Sequence, residues 1–121
     1  MRILAVILMF SAFAVRAQEG IRDTDSRLSK VEMTEMLVGQ VLEFYTNGFA
    51  SYYADGRYDY RYEADGERVL GAYEIMDDSS VCMIFDNGFE RCDYLVQAGE
   101  RLVMIIANGE RYPVRAKTAI E

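Results

Sequence analysis

The hydrophobic pattern of the chain changes its period once, close to residue 40. Before that point, three apolar side chains recur at the spacing that places them on one face of a helix: Met33, Met36 and Leu37. Ser29 and Glu32 have the spacing of a capping box, in which each side chain accepts a hydrogen bond from the other residue's backbone N–H. Gly39 stands where a helix commonly ends. We therefore predict one short amphipathic helix over residues 30–38.

From Val41 onward, apolar and polar residues tend to alternate with a period of two, which is typical of strands with one buried face. Turn-forming dipeptides recur between them: Asn47-Gly48, Asp55-Gly56, Asp65-Gly66, Asn87-Gly88 and Asn108-Gly109. The intervening segments are eight predicted strands: 41–46, 49–54, 57–63, 67–76, 81–85, 89–96, 101–107 and 110–115. This pattern predicts a mainly β domain: an antiparallel meander of about eight strands, forming a small barrel or a curled sheet, preceded by the short helix.

The N-terminus has the three parts of a secretory signal. Met1-Arg2 supplies positive charge, residues 3–15 are uncharged and, apart from Ser11, apolar, and Val15-Arg16-Ala17 resembles a signal-peptidase site before Gln18. The apolar run is shorter than the roughly 20 residues of a membrane-spanning helix, although an uncleaved anchor is the alternative. We predict four segments: a signal peptide at 1–17, a flexible leader at 18–28, a single β-rich domain at 29–116 and a C-terminal tail at 117–121. The predicted location is periplasmic or extracellular.

Charge narrows the range of partners. The chain carries 13 basic and 20 acidic residues. Removal of the predicted signal takes away Arg2 and Arg16, leaving eleven basic residues against twenty acidic ones, a net charge of −9. A surface this negative repels nucleic acid and anionic lipid headgroups. We therefore expect no nucleic-acid partner and no stable membrane insertion of the mature form.

Cys82 and Cys92 fall on the two arms of one predicted hairpin, and an exported chain is expected to pair its cysteines. A two-residue turn at Asn87-Gly88 would point them to opposite faces of the sheet. A three-residue loop at 86–88, with Gly88 left-handed, instead places the two cysteines directly opposite each other. We therefore predict this loop and a structural disulfide contributing about 2–3 kcal/mol.

Residues 57–63 alternate without interruption between charged and tyrosine side chains. Tyr58, Tyr60 and Tyr62 would share one face of a strand, with four charged residues on the other. One interpretation is an aromatic platform or pocket wall whose hydroxyls orient a ligand. The other is a core or barrel-lining face whose hydroxyls reach the rim. We take these three tyrosines as the candidate ligand-binding residues.

The sequence contains no histidine, which removes the commonest general base, the usual serine and cysteine triads and most zinc sites. Carboxylates are the remaining catalytic groups, and four that lie in predicted strands could approach one another: Glu43, Glu74, Glu90 and Asp93. Twenty acidic residues in a short chain make such coincidences common. We therefore predict a protein that is not an enzyme, with no catalytic residues, no metal and no cofactor.

The pattern resembles a group of small bacterial exported β-rich domains of unknown function that contain one disulfide hairpin. The features that carry the resemblance are Val38-Gly39, Phe44-Tyr45, the segment 52–58, Gly71-Ala72-Tyr73 and the hairpin from Val81-Cys82 through Asn87-Gly88-Phe89 to Cys92. They span residues 30–115, with Tyr73 where such proteins often have Trp. The resemblance implies export and a β-fold and brings no catalytic residues. In size and design alone, the chain is also similar to secreted β-barrel inhibitors of proteases or lysozymes.

These observations favour a secreted or periplasmic binding or accessory domain that recognises a protein partner or a small ligand. One alternative is an inhibitor of an envelope or secreted hydrolase, such as a lysozyme or a protease, since negative charge complements a basic enzyme. Another is a lipocalin-like carrier of a small apolar ligand, which requires an open barrel interior. The sequence leaves the ligand and the oligomeric state open.

Overall fold

The computed structural model of the protein describes residues 20–120, so the predicted signal peptide lies outside the described residues. The described part contains one helix and nine strands. These are β1 (Ser26–Arg27), α1 (Lys30–Leu37), β2 (Gln40–Phe44), β3 (Phe49–Tyr52), β4 (Arg57–Arg61), β5 (Arg68–Ile75), β6 (Ser80–Phe85), β7 (Glu90–Ala98), β8 (Arg101–Ile105) and β9 (Arg111–Ala119). Between residues 20 and 120, no helix is both long enough and apolar enough to cross a membrane.

Strands β2 to β9 form a closed antiparallel barrel. Each strand pairs with the next along the chain, and β9 also pairs with β2, which closes the ring. The short strand β1 adds to the far end of β7 as a ninth strand. Closure leaves the eight barrel strands without a free edge along their paired lengths, which is how an up-and-down barrel avoids edge-to-edge association. The predicted eight-stranded antiparallel barrel with one short helix is confirmed.

The helix closes one end of the barrel. Its capping box is present, with the Glu32 backbone N–H donating to Ser29 Oγ at 3.1 Å and the Ser29 N–H donating to Glu32 Oε1 at 2.9 Å. Met33 and Leu37 are fully buried in the same cluster as the barrel core. Gly39 follows with a φ of +76°, a left-handed conformation that turns the chain into β2 at little steric cost.

The disulfide hairpin has the predicted register. Cys82 and Cys92 are directly opposite each other and bonded. Phe85 faces Phe89 across the loop 86–88, with the Phe85 N–H donating to the Phe89 carbonyl at 2.8 Å. Gly88 has a φ of +90°, as the three-residue loop requires. Both the pairing and the loop length are confirmed.

The segment predicted as a flexible leader is packed against the barrel from residue 20 onward. Ile21 lies against an apolar cluster on the outer face of β7 and β8: Tyr94, Val96, Val103 and Ile105. Leu28 is buried in the main core. The sequence pattern did not predict this packing, because a short polar segment has no hydrophobic periodicity. In addition, its contacts are made with strands far along the chain.

An ion pair fixes the leader to the last strand. The Arg111 guanidinium donates to Asp25 Oδ2 at 2.6 Å and to Asp25 Oδ1 at 3.0 Å, and it also donates to the Gly20 carbonyl at 2.9 Å. The Asp25 side chain is 1% exposed. The hydrogen bonds from Arg111 lower the pKa of this carboxyl group.

The predicted C-terminal tail at 117–121 is also partly structured. β9 continues to Ala119, where it pairs with Gln40 at the start of β2. The Ile120 N–H then donates to the Gly39 carbonyl at 2.8 Å. The prediction ended the strand early because Arg115, Lys117 and Thr118 lack an apolar alternation, but backbone pairing with β2 requires none.

We expect Asp25→Asn to lower the free energy of unfolding by about 3 kcal/mol, since it leaves the Arg111 guanidinium largely buried without its counter-charge. Chemical denaturation monitored by circular dichroism measures this change. Asp23→Asn is the matched control, because Asp23 is an exposed acid in the same segment. Equal midpoints for the two variants would contradict a stabilising role for the pair.

Candidate functional site

A cavity of about 430 Å³ opens at the barrel end opposite the helix. In an antiparallel barrel, alternate hairpin loops gather at the same end. The loops at 45–48, 62–67, 86–89 and 106–110 therefore surround this opening, while the helix lies at the other end with the loops 53–56 and 76–79. The volume lies within the roughly 300–1,000 Å³ of typical small-molecule sites.

Aromatic residues make up half of those that line the cavity. The aromatic lining residues are Phe44, Tyr52, Tyr58, Tyr60, Tyr62, Phe85, Phe89 and Tyr112. Several of these rings pack edge to face, with centroids 5.2 Å apart for Tyr52 and Tyr58 and 5.8 Å apart for Tyr58 and Phe85. Such packing holds the rings in fixed positions along the wall.

The three tyrosines singled out in the sequence all line this cavity. The alternation along β4 points Tyr58 and Tyr60 inward, and Tyr62 continues the series at the opening. Burial falls along the series: Tyr58 is buried, Tyr60 is half-buried and Tyr62 is 71% exposed. They therefore form a ladder from the core to the mouth, which fits both of the interpretations that the sequence allowed.

Two glycines shape the wall beside these tyrosines. A Cβ at Gly48 would overlap the Tyr60 hydroxyl, so glycine at this turn lets the ring lie across the loop. Gly71 pairs with Tyr58, and a Cβ there would lie 2.6 Å from the Ile84 carbonyl oxygen. The close approach of β5 to β6 at this point depends on the missing side chain.

The two charged residues that line the cavity are Arg91 and Asp93, both on β7. Arg91 Nη2 donates to Asp93 Oδ2 at 3.1 Å. Arg91 Nε lies 3.0 Å from Asp93 Oδ1, but neither of these two buried atoms has an aligned hydrogen-bond partner. Their spacing of two residues on one strand places both side chains on the same face, but the sequence alone does not reveal their pairing inside a cavity.

The interior position changes the acidity of Asp93. Burial raises the pKa of its carboxyl group to about 6, and the neighbouring Arg91 opposes but does not cancel this effect. Burial likewise raises the pKa of the hydroxyls of Tyr52 and Tyr58, so both stay neutral at physiological pH. Asp93 is therefore the group of this cluster whose charge changes between pH 5 and 7.

The four acidic residues considered for catalysis do not come together. Glu43 forms an ion pair with Arg115 at 2.8 Å. Glu74 and Glu90 lie on the outer face of the barrel, where the strand alternation places them opposite in direction to Tyr73 and Arg91. Within residues 20–120, Asp93 is the one carboxylate that lines the cavity, and no group of three potential ligands is arranged to hold a metal ion.

No family model, curated protein or solved structure matches the chain. The inference of function therefore depends on the cavity itself: its size, its aromatic wall and its internal charge pair.

Between pH 4 and pH 7.5, we expect the free energy of unfolding of the native protein to fall by about 2 kcal/mol more than that of the Asp93→Asn variant. Because the folded-state pKa of Asp93 is raised, its stabilising proton is bound below the unfolded pKa and is lost as the pH rises through about 6. The asparagine variant has no proton to lose there.

Denaturant titrations of both proteins across this pH range measure the difference. Glu90→Gln, an exposed acid on the outer face of the same strand, is the control and should follow the native curve. Parallel curves for the native protein and Asp93→Asn would show that Asp93 does not titrate in this window.

Proposed function

We propose that this protein is a non-enzymatic binding protein that holds a small, mainly apolar ligand in the barrel cavity. The observation that carries the proposal is a cavity of about 430 Å³, walled by aromatic side chains and open to solvent at one end. A barrel of eight strands is wide enough to hold one small ligand when its side chains do not fill it.

The contrast between the two ends of the barrel supports this function. The helix end is filled by fully buried side chains: Met33, Leu37, Leu42, Met83 and Leu95. At the open end, the aromatic rings stand along the wall and leave the centre free. A protein that needed the barrel only for stability would gain by filling both ends, since buried apolar surface contributes roughly 25 cal/mol per Å².

Exposed aromatic side chains at the opening also support ligand binding. Phe89 is 60% exposed and Tyr62 is 71% exposed, and both line the mouth of the cavity. Exposed large apolar groups that gather at a concave site commonly mark a place where another molecule binds. An apolar ligand in the cavity would cover the inner faces of both rings.

We further propose that the protein acts outside the cytoplasm. The N-terminal pattern of residues 1–17 supports export. The Cys82–Cys92 disulfide is compatible with an oxidising compartment, in which such bonds persist. Inhibition of an envelope hydrolase stays a prediction from charge alone, and an activity assay against lysozymes and proteases tests it.

The proposal predicts that the neutral dye N-phenyl-1-naphthylamine binds with an increase in fluorescence, because the cavity removes it from water. Tyr60→Ala should weaken this binding about tenfold, since a lost aromatic contact is worth about 1–1.5 kcal/mol. Fluorescence titration measures both effects. Tyr45→Ala is the control, because Tyr45 is half-exposed and does not line the cavity.

A second variant separates binding in the cavity from binding on the surface. Val69 lies at the mouth and is 37% exposed, so Val69→Trp should obstruct the opening without disturbing the buried core. Loss of dye binding in this variant supports the cavity as the site. Unchanged binding in both Tyr60→Ala and Val69→Trp, or no binding to the native protein, contradicts the proposed function.

A further inference from the structure

Arg91 is the accessible charge inside the cavity. Its side chain is 31% exposed, whereas that of its partner Asp93 is 2% exposed. Because β7 begins at the open end, Arg91 lies nearer to the mouth and Asp93 lies deeper. A molecule that enters through the mouth therefore meets the guanidinium before it can reach the carboxylate.

The guanidinium has hydrogen-bonding capacity that its partner does not use. An arginine side chain presents five N–H donors in a planar fork. One of them, on Nη2, makes an aligned bond to Asp93 Oδ2, while the buried Nε has no aligned acceptor. The planar fork suits an acidic group with two oxygens better than it suits a single neutral oxygen.

Aromatic rings surround the guanidinium on the cavity side. Arg91 Cζ lies 5.9 Å from the centroid of the Phe85 ring, within the range of a cation–π contact. Tyr58, Tyr60 and Tyr112 line the same cavity. One positive charge set among aromatic rings matches a ligand that joins one negative group to an apolar body.

We infer that the cavity takes an amphipathic anion, a molecule with one acidic group and an apolar body, which places the acidic group on Arg91 and the body among the tyrosines. The inference rests on the proposed function, since it names the class of ligand for the same cavity. It also gives the charged pair a role that a purely apolar cavity would not need.

Binding of such an anion brings it into competition with Asp93 for one guanidinium. Two carboxylate-like groups on a single arginine repel each other, so the anion favours the protonated form of Asp93. The groups that face Asp93 are Arg91 from its own strand, Tyr52 from β3 and Tyr58 from β4. Both hydroxyls stay neutral, so Asp93 alone takes up the proton.

The raised pKa of Asp93, about 6, makes this proton uptake easy near neutral pH. Affinity for the anion should therefore rise as the pH falls from 8 to 5.5. If the anion binds only the protonated form, the tenfold change per pH unit above the pKa gives a difference on the order of a hundredfold over this range. If the anion also binds the ionised form of Asp93 weakly, the difference in affinity is smaller. We expect it to be at least tenfold.

The negative charge of the rim does not reverse this preference. The acidic residues of the loops at the open end are exposed: Glu63, Asp65, Glu67, Asp86 and Glu110. Charges in contact with solvent are screened within about 8–10 Å at physiological ionic strength. The Arg91 guanidinium acts at contact distance in a partly enclosed site, where screening is much weaker.

Two dyes that share one apolar body test the inference. The anion 1-anilinonaphthalene-8-sulfonate differs from N-phenyl-1-naphthylamine by its sulfonate, which stays ionised from pH 5.5 to pH 8. Fluorescence titrations of the native protein should show at least tenfold tighter binding of the anionic dye at pH 5.5 than at pH 8. The neutral dye should bind equally at both values.

Variants of the pair assign the effect to its two members. Asp93→Asn should bind the anionic dye tightly at pH 8 and without pH dependence. The double variant Arg91→Gln with Asp93→Asn replaces the pair by two neutral amides, so no charge is left buried alone. It should lose at least tenfold in affinity for the anionic dye and keep its affinity for the neutral dye. Arg101→Gln, an exposed arginine outside the cavity, is the control.

The two dyes separate failure of the inference from failure of the proposed function. If the neutral dye binds but the anionic dye shows no tighter, pH-dependent binding, the inference that the ligand is an anion is wrong. The cavity then still stands as a binding site. Failure of both dyes to bind overturns both. Equal anion affinity in the native protein and the double variant also overturns the inference, as does preferred binding of a naphthylamine dye that carries a quaternary ammonium group.

Discussion

The pairing of β9 with β2 is the contact on which the rest of the structure depends. Seven neighbouring pairings can form a meander, but only this seam turns the sheet into a ring with an inside and an outside. It extends from Phe44 to Gln40 along β2 and takes up an irregularity in register between Glu43 and Phe44. Inward side chains then face one another across the barrel, so a strand alternation of period two becomes a core at one end and a cavity at the other.

The two ends of the barrel have separate roles because the helix closes only one of them. Apolar side chains from the helix and the strands fill the closed end and supply the burial that holds the fold together. At the open end, a residue such as Tyr60 can stand along the wall because the core below already fixes its strand. Arg91 and Asp93 lie at the boundary: both line the cavity, but Arg91 is partly exposed and Asp93 is almost fully buried.

Local patterns predicted most of this fold, since hairpins join neighbours in sequence. The turn dipeptides and the alternation placed all eight barrel strands, and the cysteine spacing set the register of one hairpin through Gly88. Contacts between distant segments were not visible in the same way. Nothing in the sequence around Asp25 indicates that it pairs with Arg111. Residues 117–119 join the sheet only because β2 offers free backbone groups there.

The candidate site shows the same division. The alternation of residues 57–63 correctly placed Tyr58, Tyr60 and Tyr62 on one face, and the spacing of two residues puts Arg91 and Asp93 on one face of β7. Neither pattern reveals whether the space between the strands is filled, because that depends on the rotamers of side chains on facing strands. The cavity and the raised pKa of Asp93 follow from this three-dimensional arrangement.

The ion pair between the leader and β9 has a consequence for the order of folding. Its two members are 86 residues apart in sequence, and the pairing of β2 with β9 likewise joins the first and last strands of the barrel. Strand β2 can pair early with β3, but its other edge and Asp25 stay unpaired until nearly the whole chain is present, and loop closure over such distances is slow. If the chain is exported as proposed, this delay helps to keep the polypeptide unfolded during translocation. The barrel then closes late, after the last strand has crossed the membrane.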